Sequence, residues 1–271
     1  MPTVTVAGTE VHYRAEGSGP GLLLIHGSTA DSEANYAAMR PLLTDRFTVI
    51  TPDYAGSGRT ALPRGELTLD LLVRQVAAAA RAAAPGPVDV VGASLGAVVA
   101  AALAAEQPEL VRRLVLVGGW ARNDDPRQEL ALGLWRRLAD LDTLAYQQFI
   151  TLLSLSPDRL SATSREEIAA AAAAARPSEG ARRQLDLDLA VDIRDRLPAI
   201  EAPTLVVGAR QDQVIPVAHS RELHRGIAHS RYTELDCGHN IPYERPAELA
   251  ALLREYLEEE LAVTAAVAAG G

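Results

Sequence analysis

The sequence contains no lysine; all 26 of its basic residues are arginine. That removes the amine on which Schiff-base chemistry with a carbonyl substrate or with pyridoxal phosphate depends. Cysteine is almost as scarce. Cys237 stands alone, so no internal disulfide and no cysteine-rich metal site can form, which fits a reducing compartment. Long apolar runs are missing too: Ala77–Ala84 is interrupted by Arg81 and Ala169–Ala175 is short, against the roughly 20 residues that a membrane-spanning helix requires. The opening MPTVTVAGTE has neither a basic n-region nor an apolar h-region, so no signal peptide is expected and the chain is expected in the cytoplasm.

What is present describes an ordinary globular chain of 271 residues, 48% hydrophobic and 23% charged, long enough for one domain with an insertion. Its net charge of -9 argues against a nucleic-acid or anionic-membrane partner, because both reward clustered positive charge. Thr3–Val6 and Val11–Tyr13 alternate like an edge hairpin. Leu22–Ile25, Phe47–Ile50, Val88–Val91, Leu114–Val117, Leu205–Val207 and Tyr232–Leu235 are short apolar runs bounded by turn residues, as strands buried on both faces of a parallel sheet are. Helical periodicity over Leu67–Ala84, Leu95–Glu106, Val217–Arg225 and Ala247–Glu259 supplies crossover helices, giving an α/β fold with a mostly parallel central sheet. Residues 120–202 break the rhythm: rich in Leu, Ala and Arg and without a β-rich run, they predict an inserted helical subdomain on a core of 1–119 and 203–260. Gly118-Gly119 on one side and Pro198 and Pro203 on the other are its expected junctions, and residues 261–271 are expected to form a flexible tail.

Gly92-Ala93-Ser94-Leu95-Gly96 lies between a strand and a helix, the context of a nucleophile elbow, in which a strained turn exposes the serine and flanking glycines let strand and helix approach. A plain glycine-rich turn is the alternative. A serine hydroxyl needs a base, and His239 follows the last expected strand. His219, His224 and His229, spaced by five, do not share a helical face, so no metal cluster is expected there. The base needs a carboxylate to orient it. Asp212, past the strand at Leu205–Val207, gives the chain order Ser, Asp, His; Asp124 and Asp125, beyond the strand at Leu114–Val117, are its rivals. For the developing oxyanion, the backbone N–H groups of Ser28, in the turn after Leu22–Ile25, and of Leu95 are the expected donors. His26 reads as a side chain bracing that turn, and no second base is evident for Cys237.

His26-Gly27, Asp53-x-x-Gly56-x-Gly58, Gly92-x-Ser94-x-Gly96, Asp212 with Pro216, and Gly238-His239 together resemble the α/β-hydrolase fold superfamily, of the lidded esterase, enol-lactonase and C–C hydrolase kind. The resemblance covers residues 3–260. It implies a helical cap over the site at 120–202, a structural role for the Asp53 loop, and a small-molecule substrate facing Trp120, Trp135 and Phe149, with Arg136 and Arg137 as anchors or as a solvated helix face. Members that open epoxides or remove halide are expected to carry Asp where this chain has Ser94. The expected function is therefore cofactor-independent, metal-free serine hydrolysis of an ester, lactone or thioester. C–C cleavage or cyclisation by the same triad, and a non-catalytic binding protein of this fold, are the alternatives, and a homodimer is left open.

Overall fold

The computed structural model describes residues 1–174 and 176–269; of residues 173–174 and 259–269 only the backbone is considered. An antiparallel hairpin, β1 (Thr3–Val6) and β2 (Thr9–Gly17), leads into β3 (Gly21–Ile25), α1 (Ser32–Tyr36), β4 (Thr48–Pro52), α2 (Leu69–Ala83), β5 (Val88–Ala93), α3 (Leu95–Glu106) and β6 (Val111–Val117). Five consecutive helices follow: α4 (Pro126–Leu141), α5 (Thr143–Ser154), α6 (Pro157–Ala162), α7 (Arg165–Ala174) and α8 (Glu179–Ala190). The chain then returns to the sheet with β7 (Thr204–Ala209), α9 (Val217–Gly226), β8 (Ser230–Leu235), α10 (Ile241–Glu244) and α11 (Pro246–Ala269).

The eight strands form one sheet in the order β1-β2-β4-β3-β5-β6-β7-β8, parallel from β4 to β8. Every residue of β3, β5 and β7 is buried, which is why these strands read as continuous apolar runs rather than alternations. One hydrophobic core lies on each face. The first gathers α2, α3 and the inner side of the inserted helices; the second gathers α1 and the start of α11. Helix α3 is apolar all round and has ten buried residues, so it runs through the first core rather than along its surface.

Just inside Gly118-Gly119 and the prolines, residues 121–123 and 191–193 pair side by side through an Arg122–Asp192 bridge and the Asn123 N–H to Val191 O (3.2 Å) and Ile193 N–H to Ala121 O (2.8 Å) bonds, making a two-stranded neck at the base of the inserted helices. Backbone amides near the sheet need acceptors, and pairing the two crossings supplies them. Residues 261–269, where a tail was expected, continue helix α11, since their alanines favour helix over coil; Gly270 and Gly271 lie outside the described residues. Among the described residues no helix is long and apolar enough to cross a membrane, and no group of three or more His, Cys, Asp or Glu side chains could hold a metal ion.

Candidate active site

The parallel strands deliver their C-terminal ends to one edge of the sheet, where loops from β3, β5, β7 and β8 converge. Ser94 sits between β5 and α3 at φ 56°, ψ -123°, a left-handed conformation that a residue with a side chain adopts only when its surroundings enforce it. The surroundings are the two glycines. A Cβ on Gly92 would lie 2.1 Å from the Gly96 carbonyl oxygen, and one on Gly96 would lie 2.1 Å from that of Ile25. The G-x-S-x-G spacing is therefore a packing requirement that drives Ser94 outward.

His239 Nε2 is 2.9 Å from Ser94 Oγ, and His239 Nδ1 donates to Asp212 Oδ2 at 2.7 Å. Asp212 uses its second oxygen to accept the backbone N–H groups of Val214 (2.9 Å) and Ile215 (2.8 Å), so it closes an Asx-turn while it also holds the His239 imidazole. Its side chain is 1% exposed and that of His239 12%. Burial of His239 opposes its protonation, but the charge and hydrogen bond of Asp212, with a further contribution from Asp188, hold its pKa above the usual imidazole value. The rival carboxylates are engaged elsewhere: Asp124 pairs with Arg122, and Asp125 caps α4, accepting from the backbone N–H groups of Arg127 (2.8 Å) and Gln128 (3.3 Å).

The loop after β3 packs on Ser94, since a Cβ on Gly27 would be 3.0 Å from that of Ser94. Its amides are sorted: Gly27 N–H goes to Asn35 Oδ1 and Thr29 N–H to Gln184 Oε1, both at 2.7 Å. Between them the Ser28 N–H has no protein acceptor among the described residues, nor has that of Leu95 at the start of α3. His26 braces this turn. Its Nδ1 donates to Gly27 O at 2.8 Å, its ring stacks on Tyr54 at 3.9 Å, and burial lowers its pKa. Asp53 is likewise structural: it accepts from Ser32 N–H at 3.0 Å, and a Cβ on Gly58 would lie 2.0 Å from its carboxylate. Burial, followed by the Glu244 charge, pushes the Cys237 thiol up to about 12, far from a thiolate nucleophile.

A cavity of about 220 Å³ opens over Ser94 and His239, roofed by Trp135, Ile150 and Ser154 of the inserted helices. Of the three aromatics expected to face the substrate, only Trp135 lines it. Trp120, three residues past the end of β6, is 1% exposed and belongs to the core. Phe149 packs against the same core, and Ile150, one residue and about 100° further around α5, faces the cavity in its place. Arg136 is held by Asp140 and Asp186, both at 2.7 Å, on the cap; neither it nor Arg137 lines the cavity. The His239 loop is pressed on the cap as well. A Cβ on Gly238 would lie 2.5 Å from Ser156 N, and Glu244 accepts from Ser156 Oγ (2.6 Å) and from the backbone N–H groups of Ser156 (2.8 Å) and Gly238 (3.1 Å).

Asp188 and Gln184, both on α8, were not singled out by sequence. Asp188 is 1% exposed and accepts from Ser28 Oγ at 2.9 Å; burial pushes its pKa up to about 7, against smaller opposing contributions from the Ser28 hydrogen bond and the His239 charge. Gln184 donates to Ser57 Oγ (2.9 Å) and Ala55 O (3.2 Å) while accepting from Thr29. Nothing in the sequence marks them: QLDLDLA mixes polar residues and leucines, and no local pattern tells the buried Gln184 and Asp188 from the exposed Asp186.

Comparison with known proteins agrees with this arrangement. A family model described as alpha/beta hydrolase fold matches residues 20–246. The chain is 40% identical to a pyrrolizixenacetamide deacetylase of Xenorhabdus hominickii over 96% of this chain and 99% of that protein. It is 31% identical to a 2-hydroxymuconate semialdehyde hydrolase of a Pseudomonas species, over 94% and 93%. The crystal structure of the enol-lactonase from Burkholderia xenovorans LB400 superposes with a TM-score of 0.83 at 25% identity, covering 95% of this chain and all of that one. A match across the sheet and its inserted helices, with full-length hydrolase relatives, places this chain in the α/β-hydrolase fold family as a hydrolytic enzyme.

Proposed function

We propose that the chain is a serine hydrolase that removes a small acyl group from an ester or amide through an acyl-enzyme. The observation that carries this reading is the continuous hydrogen-bonded line Asp212–His239–Ser94, at 2.7 and 2.9 Å, ending on a serine held in a strained turn. Ser94 Oγ attacks the carbonyl carbon as its proton passes to His239 Nε2, and Asp212 stabilises the imidazolium. The oxyanion of the tetrahedral intermediate accepts from the N–H groups of Ser28 and Leu95. Collapse expels the alcohol or amine, which takes the proton from His239. Water, deprotonated in turn by His239, releases the acid and restores Ser94.

A cavity of about 220 Å³ accommodates a short acyl chain, in keeping with the deacetylase relative. It also favours this reading over C–C cleavage of a muconate-type substrate. A carboxylate there would lack an arginine, since no Arg is among the described lining residues. The test pairs p-nitrophenyl esters of increasing chain length with a serine-directed phosphonate. Acetate and propionate esters are expected to turn over and Ser94 to be labelled, and Ser94→Ala is expected to lose about 10⁴-fold or more in kcat with unchanged thermal stability. Full activity in Ser94→Ala would rule the mechanism out.

A further inference from the structure

Three residues one helical turn apart put a single face of α8 on the core: Gly180, Gln184 and Asp188. At the first, backbone meets backbone, since a Cβ on Gly180 would lie 2.1 Å from Gly56 O. At the second, Gln184 spans two loops, accepting from Thr29 N–H and donating to Ala55 O and Ser57 Oγ. At the third, Asp188 accepts from Ser28 Oγ. Thr29 has φ 62°, a strained value for a β-branched residue, so the loop needs an external hold to keep its shape. Gln184 grips the very residue that is strained, and Asp188 grips its neighbour. The amide between these two grips is the Ser28 N–H.

We propose that this face of the cap is the positioning element of the oxyanion hole, with Gln184 and Asp188 as positioning residues that fix Thr29 and Ser28 so that the Ser28 N–H points at the reacting carbonyl oxygen. The inference rests on the serine-hydrolase reading and adds the source of that donor's geometry. It also requires Asp188 to work protonated, because a carboxylate beside Ser28 would oppose the oxyanion and hold His239 in its charged form. Its burial and raised pKa are in keeping with this. The other titratable groups that interact with it are His239 from the loop after β8, Tyr54 from the loop after β4 and Tyr146 from α5; Asp53 in turn acts on Tyr54, and Arg182, on α8 itself, acts on Tyr146. Burial holds both tyrosines above the ordinary phenol range. Asp53 is bound by the Ser32 N–H, and Arg182 by Asp140 and the carbonyls of Ala139 and Pro177. That leaves Asp188 and His239 to shape the pH profile.

The experiment measures p-nitrophenyl acetate hydrolysis between about pH 5 and 9 for wild type, Asp188→Asn, Asp188→Ala and Gln184→Ala, with phosphonate labelling of Ser94 and thermal melting alongside. Misplacing one oxyanion donor should lower kcat by roughly 10- to 100-fold in the two alanine variants with KM within about threefold. Asp188→Asn, which keeps an acceptor for Ser28 Oγ, should recover most of the Asp188→Ala loss and remove an alkaline decline that begins near pH 7 in wild type. A labelled, active wild type whose pH profile Asp188→Asn reproduces unchanged overturns this proposal alone, as does an equal loss in all variants explained by lower melting temperature. Absence of both labelling and hydrolysis in wild type overturns the serine-hydrolase reading and this inference with it.

Discussion

Asp212 divides its two oxygens between a turn and an imidazole, and that division predicts what its amide analogue will do. Asparagine has only one acceptor, so either the Val214 and Ile215 N–H groups or the His239 Nδ1–H loses its partner. Asp212→Asn is expected to lose about 10³- to 10⁴-fold in kcat, while Asp124→Asn, which disturbs only the pair with Arg122, should stay within about twofold of wild type; steady-state kinetics on both variants decides it. Asp188 makes the opposite kind of prediction, about stability. Its carboxyl titrates near 7 in the fold and near 4 in the unfolded chain, so it is neutral in both states in acid and destabilises nothing there. As pH rises from about 4 the unfolded state ionises first, and folding loses on the order of 4 kcal/mol by the time pH passes 7. Asp188→Asn should therefore melt several degrees above wild type at pH 8 and show much less advantage at pH 5, by calorimetry.

At the scale of elements, phase decides which side chain reaches the cavity. Helix α5 packs both Phe149 and Ile150 against the core, but of the two only Ile150 also lines the cavity. Ile150→Ala should shift preference toward longer acyl chains by about tenfold in relative kcat/KM, whereas Phe149→Ala should lower stability by about 2 kcal/mol and leave that preference alone; an ester chain-length series with paired melting curves separates the two. The same phase explains what the sequence could and could not reveal. That Ser94, Asp212 and His239 stand close to one another was legible because each lies within four residues of the end of a strand, and a strand end is a local signal. The strands were legible from their burial on both faces. Trp120 and Phe149 misled because an aromatic residue near a site looks the same whether it lines or supports it. Gln184 and Asp188 were silent, since their partners Thr29 and Ser28 lie 155 and 160 residues away and no periodicity encodes a contact that distant.

Across the whole molecule, the inserted helices do not own a separate interior. Leu132, Trp135, Tyr146 and Leu185 belong to the same buried cluster as Trp120, Leu116 and helix α3. Cap and sheet should therefore unfold together. The chain has two tryptophans, one in each part, so Trp120→Phe leaves a reporter in the cap and Trp135→Phe one in the core. Their fluorescence transitions in urea are expected to share one midpoint, after correction for the effect of each substitution on stability; midpoints well apart would make the cap an independent unit.

The paired neck at residues 121–123 and 191–193 leaves the two ends of the insertion beside each other. Topologically that makes everything between them a cassette: it can be exchanged for a relative's without rerouting the sheet, as loop-tip insertions are tolerated when the flanking backbone stays paired. The cassette carries more than a substrate pocket, however. A transplant that brings a new α4 and α5 but not the Gly180–Gln184–Asp188 face would trade specificity and, in the same stroke, remove the two side chains that grip the Ser28–Thr29 turn. Recombination between members of this fold would then succeed only where the last helix of the insertion and the turn after the third strand come from the same parent.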